Sequence, residues 1–219
     1  MTTYLTADTH FCHGTMLSAD GPHRPFANVD EMNDALIENW NAVVNPEDVV
    51  WHLGDLFMRG DDRTVAKIFY ALKGRKRLII GNHDVDKHGR LLPVLARLPW
   101  DAEPAHAAEI QHDGNRIMLS HYAGWTWNQA HRGAYLAFGH SPGGLLGLPG
   151  SIDVGVDVQK FKPISGADFV EQAEETILDA ETRLIHNARR LDGLLKAYED
   201  QADVIRKKRG EERTRGFRR

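Results

Sequence analysis

Leu78-Ile79-Ile80-Gly81-Asn82-His83-Asp84 is the stretch that decides the fold of this 219-residue chain. Its three apolar residues indicate a buried strand, and a polar tetrapeptide that starts at Gly81 follows them directly. Open α/β sheets place their ligand sites at the carboxyl ends of their strands. The stretch therefore predicts a strand that delivers nitrogen and oxygen ligands to the edge of a sheet.

Four other blocks of the chain repeat this arrangement, because each puts polar side chains directly after an apolar run. They are Asp8-Thr9-His10, Gly54-Asp55, Ser120-His121 and Gly139-His140. Glycines in these blocks let the backbone turn sharply and approach a ligand closely. Five blocks with one pattern indicate a shared site rather than five independent surface groups.

The donor atoms of the five blocks indicate which metal ions the site would bind. Imidazole and carboxylate ligands without a thiolate favour Mn, Fe, Co, Ni or Zn over Ca or Mg. Asp55 lies in the chain between the Asp-x-His block and the blocks that carry Asn82 and the later histidines. We therefore predict that Asp55 bridges two ions about 3.5–4 Å apart, the arrangement used for in-line phosphoryl displacement.

These motifs resemble those of the calcineurin-like metallophosphoesterases, in a small bacterial and phage branch of that family. The family pattern is Asp-x-His, Gly-Asp, Gly-Asn-His-Asp, a lone His and Gly-His-x-His, and the resemblance covers residues 1–165. It implies an α/β (α+β) fold, a four-layer α/β/β/α sandwich of two mixed sheets. It also implies two sets of metal ligands: Asp8, His10 and Asp55 for the first ion, and Asp55, Asn82, His121 and His140 for the second.

The resemblance further implies a metal-dependent phosphoesterase that acts by direct in-line attack of water. His83 matches the family's non-ligand histidine, which protonates the leaving oxygen or stabilises the pentacovalent transition state. We expect Asp84 to orient that imidazole and raise its pKa, which keeps His83 an acid near neutral pH. The nucleophile is expected to be a water that bridges two divalent ions, with manganese favoured.

The chain departs from the family pattern at Pro142, where the family has a histidine ligand of the first metal. Proline has no side-chain donor, so three protein ligands remain, a known catalytic arrangement with an open position. Three interpretations are open. The first site is weaker but active, or it recruits another donor, with His13 ahead of His52 and His131. Alternatively, the centre holds one ion or only binds a ligand.

The segment Tyr122–Arg132 follows a predicted ligand directly and is rich in Trp, Asn and His. We expect it to line the substrate cleft, where aromatic rings stack on a base and Arg132 binds phosphate. This expectation favours a phosphodiester, such as a nucleotide, over a phosphomonoester. His13, Arg24 and His131 are further candidates for phosphate contacts. The alternative is a loop whose tryptophans cover the sheet edge.

The C-terminal part of the chain predicts a helix and a charged tail. Apolar residues recur every three or four positions over 166–205, which predicts a long helix, capped by Ser165, beyond a core domain at 1–165. A stripe this regular can pair with a second copy, so a homodimer is one interpretation. Residues 206–219 carry eight Lys/Arg and two Asp/Glu, which predicts a disordered basic tail. Two alternative functions follow: a scaffold that acts through the helix, and a nuclease whose tail holds nucleic acid.

Composition narrows the setting in which the protein works. No stretch reaches the ~20 apolar residues that a membrane span needs. The single cysteine, Cys12, excludes an internal disulfide and fits a reducing compartment. We therefore expect a cytoplasmic location and no membrane partner.

Overall fold

Two four-stranded sheets form the centre of the computed structural model, which describes residues 1–180 except 20, 59 and 146. The strands are β1 (Thr3–Thr6), β2 (Val49–His52), β3 (Arg75–Leu78), β4 (Ala107–His112), β5 (Asn115–Ser120), β6 (Tyr135–Phe138), β7 (Ser151–Asp153) and β8 (Ile164–Ser165). Their order is β3-β2-β1-β8 in the first sheet and β4-β5-β6-β7 in the second. Each sheet combines parallel and antiparallel pairs, so both are mixed, as predicted.

The described part of the chain contains four helices, three of which have a side-chain cap at their start. They are α1 (Val29–Val43), α2 (Asp62–Ala71), α3 (Pro93–Ala96) and α4 over 166–180, with 3₁₀ turns at Gly14–Leu17 and Ala130–Arg132. Asn28 Oδ1 accepts a hydrogen bond from the Glu31 N–H at 2.9 Å, which fixes the start of α1. Ser165 Oγ accepts one from the Asp168 N–H at 3.1 Å at the start of α4.

Parallel pairing brings the first three ligand blocks to one edge of the first sheet. β1 pairs with β2 and β2 with β3 in parallel, with α1 and α2 as the connections. β3 ends at Leu78, earlier than predicted, and Ile79 continues it as a single bridge to Ala105. The carboxyl ends of these strands therefore point the same way.

The second sheet brings its two ligand blocks to one edge in a different manner. β4 and β5 form a hairpin at Asp113-Gly114, a pair that favours a tight turn, with φ 47° at Asp113 and 83° at Gly114. β6 then pairs with β5 in parallel. His121 and His140, which follow these two strands, consequently lie at the same end of the sheet.

Alternation of side chains along the strands divides the core into two clusters. Between the sheets, Leu5 and Leu53 pack with Ile117 and Leu119, and Phe169 of α4 joins them. The opposite face of the first sheet packs against α1 and α2. The buried residues of that second cluster include Val50, Met32, Leu36, Trp40, Val65 and Phe69. The prediction of two mixed sheets with packed helices is confirmed.

The C-terminal extension is helical as far as the structure describes it, through residue 180. Met1–Thr176 form one compact unit. The predicted pairing stripe of 180–205 and the basic tail of 206–219 fall almost wholly within 181–219, outside the described residues. None of the helices in the described part of the chain has the length and apolar character needed to cross a membrane.

Candidate metal centre

The ligand blocks of both sheets meet in one place. Two groups of donor atoms form there, and within each group all atoms lie within 4.8 Å of one another. The groups are Asp8, His10 and Asp55, and Asp55, His121 and His140. Asn82 joins the second group, because its Oδ1 lies 3.1 Å from His121 Nε2. The structure thus brings together all six residues expected to bind metal, and Asp55 belongs to both groups.

Four of these six residues have left-handed backbone conformations, which residues other than glycine rarely adopt. The φ angles are 55° at Asp8, 47° at His10, 59° at Asp55 and 71° at His140. Such conformations persist where the surroundings over-determine them, and they concentrate at functional sites. Here, hydrogen bonds between strand ends hold them, including Asp8 N–H to Gly54 O and His10 N–H to Asp55 O, both 3.0 Å.

Two glycines are required because the ligands lie against their backbone. A Cβ atom at Gly81 would collide with the Asp55 carboxylate. A Cβ atom at Gly139 would collide with the Asp8 carboxylate. This confirms the expectation that glycines in the motif blocks permit close approach.

Asp84 is fully buried, and its role differs from the expected one. Its carboxylate accepts hydrogen bonds from three backbone N–H groups: Asp55 at 2.9 Å, Leu56 at 3.2 Å and Gly81 at 2.8 Å. The expectation that Asp84 orients the His83 imidazole is therefore corrected. Asp84 instead ties the loop after β2 to the loop after β3, and burial raises its pKa to about 6.

The buried imidazoles present a free nitrogen to the centre. His121 Nδ1 lies 2.7 Å from Leu53 O, so it carries the hydrogen and leaves Nε2, 3.6 Å from Asp55 Oδ2, as a ligand atom. His10 Nε2 lies 3.7 Å from Asp55 Oδ2 and 3.9 Å from Asp8 Oδ1. Burial lowers the pKa of His10 to about 2, which keeps the ring neutral and able to bind metal.

A buried oxygen without a partner tests whether these residues fit metal ions. Asp8 Oδ1 is buried and accepts no hydrogen bond from the residues that the structure describes, an arrangement that is unfavourable unless something else binds the oxygen. Burial and the nearby Asp55 charge raise the pKa of Asp8 well above its usual range. A divalent cation satisfies both conditions, because it binds the oxygen and offsets the charge. The donor set of carboxylate, imidazole and amide suits borderline divalent metals.

His13 and His52, the proposed replacements for the missing ligand, lie outside both groups of donor atoms. The His13 Nδ1 is 3.4 Å from Nδ1 of His10, the nitrogen that does not face the carboxylates. Its ring lies 6.2 Å from that of His83, so His13 stands beside the centre. His52 Nε2 contacts Thr9 Oγ1 at 3.0 Å, and its ring stacks on Trp40. Within the described residues, no further histidine or carboxylate joins the first group.

Three residues expected to contact phosphate either have their donors occupied within the protein or lie away from the ligands. Arg24 is 3% exposed, and its donors are taken by Asp157 and by backbone carbonyls. His131 and Arg132 are exposed and precede β6, whereas the ligands follow β5 and β6. Arg132 lines a cavity at the β4–β5 turn, so the six residues of β5, about 20 Å, separate it from His121. The expected phosphate contacts of Arg24, His131 and Arg132 are therefore corrected.

Tyr122 is the first residue of the segment that was expected to line the substrate cleft, and its ring contacts two of the ligand histidines. Its ring centroid lies 4.6 Å from that of His140 and 4.9 Å from that of His121, and the residue is 51% exposed. Its position directly after His121 is the signal on which the prediction for this segment rests. Trp127 instead donates from Nε1 to Ala134 O at 2.6 Å, as in the interpretation of a loop that covers the sheet.

Comparison with known proteins identifies the family. The sequence-family model of the calcineurin-like phosphoesterases matches residues 1–168 of this chain. An uncharacterized protein of Methanocaldococcus jannaschii is 32% identical over 169 residues, which cover 74% of this chain and 85% of that protein. The crystal structure of AQ665 from Aquifex aeolicus, a protein of unknown function, has a TM-score of 0.61 and 27% identity. That match covers 78% of this chain and 98% of the other.

A shorter match has a named activity. The symmetrical bis(5'-nucleosyl)-tetraphosphatase of Buchnera aphidicola is 31% identical over 87 residues, 39% of this chain and 25% of that enzyme.

The chain belongs to the calcineurin-like phosphoesterase family, because the family model matches residues 1–168. The predicted class, a metallophosphoesterase, is confirmed.

Metal affinity should rise with pH. Asp8 must lose its proton to bind metal, and its raised pKa keeps that proton bound to a higher pH than for an ordinary aspartate. His10, with a pKa of about 2, has no proton to lose. Calorimetric titration with Mn²⁺ from about pH 5 to about pH 8 should show tighter binding and proton release as pH rises. Asp8→Asn should lose the part of this dependence that comes from Asp8. Equal affinity across this range, without proton release, would contradict the assignment.

Proposed function

We propose that this chain is a phosphodiesterase with a dinuclear centre of divalent transition metals, of which manganese is favoured. The observation that supports it is Asp55, whose carboxylate belongs to both groups of ligand atoms. Two ions held by one shared carboxylate would lie about 3.5–4 Å apart, a spacing that would suit direct in-line attack on a phosphoryl group.

The residues divide into a buried wall and an exposed rim. Asp8, His10 and Asp55 would hold the first ion, and Asp55, Asn82, His121 and His140 the second. When bound, the ions supply Lewis acidity toward phosphoryl oxygens and lower the pKa of a coordinated water. Asp8, His10, Asp55 and His121 are buried, whereas Asn82 and His140 are exposed. A substrate phosphate therefore reaches the centre from the side of the exposed rim.

His83 is the proposed proton donor to the leaving oxygen. Its Nε2 lies 4.0 Å from Asp55 Oδ2, and its side chain is 33% exposed. The backbone N–H of His83 donates to Asp55 Oδ1 at 2.9 Å, which fixes the position of His83 relative to the Asp55 carboxylate. Because the imidazole lies outside both groups of ligand atoms, it remains available to give a proton.

A nucleotide is the proposed kind of diester. The exposed Tyr122 ring beside His121 and His140 offers a face on which a base can stack. The name of the Buchnera relative, a bis(5'-nucleosyl)-tetraphosphatase, supports a substrate that contains a nucleoside.

Turnover of bis-p-nitrophenyl phosphate with Mn²⁺ tests the proposed reaction. Asp55→Ala should lose nearly all activity, because both ions lose a ligand. His83→Ala should lower kcat by about 10²- to 10⁴-fold with little change in metal content, since only proton transfer is removed. His131→Ala is the matched control and should behave as wild type. Absence of activity with every divalent ion, or an equal loss in His131→Ala, would overturn the proposal.

Pro142→His should strengthen the first metal site. The family has a histidine ligand at this position, and three side-chain ligands form the first group here. An added imidazole should tighten binding of the weaker ion by about tenfold or more. Pro142→Ala, which removes proline without adding a donor, is the control. Unchanged binding in Pro142→His would refute the idea that the missing ligand weakens this site.

Tyr122→Ala should raise KM for diesters that contain a base. Loss of one stacking contact of about 1–3 kcal/mol corresponds to roughly a 5- to 150-fold weaker interaction. The measurement compares thymidine 5'-p-nitrophenyl phosphate with methyl p-nitrophenyl phosphate, which has no base. Tyr122→Phe should retain the preference, and metal content should not change. An equal rise in KM for both substrates would argue against stacking.

A further inference from the structure

Arg24 has a buried guanidinium whose side chain is fully shielded from solvent. Its Nε and Nη2 donate to the two carboxylate oxygens of Asp157, each at 2.8 Å. Nη2 also donates to Asp8 O at 2.7 Å, and Nη1 donates to Thr9 O at 2.8 Å. Nη1 further contacts Met32 Sδ at 3.7 Å. Every nitrogen of the guanidinium is therefore engaged within the protein.

The two carbonyls that Arg24 binds belong to the first ligand block. Asp8 has a φ of 55°, and its Oδ1 is the buried oxygen without a hydrogen-bond partner. Two charge-assisted hydrogen bonds to successive carbonyls restrict rotation of the Asp8 and Thr9 peptide units. This restriction holds the Asp8 backbone in a conformation that it would otherwise rarely adopt. The direction of the Asp8 carboxylate depends on that conformation.

Asp157 holds Arg24 from a distant part of the chain. The two residues are 133 positions apart, and Asp157 follows β7 in a segment hydrogen-bonded to the end of β1. The contacts of that segment are Ala7 N–H to Val154 O and Val156 N–H to Ala7 O, both 3.1 Å. The planar fork of arginine matches a carboxylate in two parallel bonds, which lysine cannot reproduce.

We propose that Arg24 and Asp157 are positioning residues of the first metal site. This inference rests on the proposed metal centre and adds to it a pair of residues that acts on one ion only. The pair fixes Asp8 by holding the Asp8 backbone. Asp8 is one of three side-chain ligands of the first ion, because Pro142 supplies no donor.

In the second site, Leu53 O orients His121 independently of the pair. The His140 backbone N–H donates to Asp8 Oδ2 at 2.8 Å, but this contact does not involve the His140 imidazole, which is the ligand. Loss of the pair therefore weakens binding of the first ion and leaves binding of the second ion nearly unchanged.

The test measures binding of Mn²⁺ and Co²⁺ to the full chain by calorimetry and by metal counting after dialysis. Asp8→Asn and His140→Ala first assign the two binding steps, because each removes a ligand of one ion only. Asp157→Asn and Arg24→Lys should then weaken the first step by about 10- to 100-fold. The second step should stay within about twofold of wild type. The visible absorption of Co²⁺ in the first site should change as well.

Asp101→Asn is the matched control. Asp101 pairs with Arg75 and Arg77, and its side chain is 13% exposed, against 11% for Asp157. Arg75 and Arg77, the partners of Asp101, lie on β3 in the sheet that also contains β1, and they belong to neither ligand group. Both binding steps of Asp101→Asn should match wild type, which separates loss of positioning from general loss of an ion pair.

Three outcomes would overturn the inference. Unchanged binding in folded Asp157→Asn and Arg24→Lys would show that the pair does not position Asp8. Equal weakening of both steps would show a general structural role. A wild-type chain that binds no ion would refute the proposed centre itself, a result distinct from the other two. If Asp157→Asn fails to fold by circular dichroism, Arg24→Lys, which keeps the buried charge, decides between these outcomes.

Discussion

The geometry of the centre depends on the buried Asp84 carboxylate, which joins two strand ends. It binds the N–H groups of Asp55 and Leu56 after β2 and of Gly81 after β3. Asp55 has a left-handed backbone, and such a conformation is stable only where neighbouring contacts enforce it. Because Asp55 belongs to both ligand groups, the contact that fixes its backbone sets the relation between the two proposed ions.

The buried carboxylates give the centre a negative charge that a bound cation would offset. Asp8, Asp55 and Asp84 are almost fully buried, and burial raises the pKa of Asp8 and Asp84. Arg24 lies behind Asp8, where it binds backbone carbonyls and Asp157 rather than the ligand carboxylates. Negative charge therefore remains on the side that faces the ligand atoms. A metal ion would stabilise Asp8 Oδ1, the one oxygen of these carboxylates that is buried without a hydrogen-bond partner among the described residues.

The fold supplies this arrangement through strand direction. Parallel β1, β2 and β3 bring Asp8, Asp55 and Asn82 to one edge, and parallel β5 and β6 bring His121 and His140 to another. The apolar cluster between the sheets packs these two edges together. Neither sheet alone carries both ligand groups, so the centre requires the packed pair.

The sequence by itself determined the ligand types, their order, the caps of α1 and α4 and the β4–β5 hairpin, because each depends on residues close together in the chain. It therefore indicated the family and the six candidate ligands. Only the tertiary structure decided what Asp84, Arg24 and Arg132 do. The chemistry of these side chains allows several roles, and contacts between distant segments select one. Arg24 meets Asp157 across 133 positions, and the length of β5 separates Arg132 from the centre. The left-handed backbone at four candidate ligands has the same origin, since long-range contacts hold conformations that local preference disfavours.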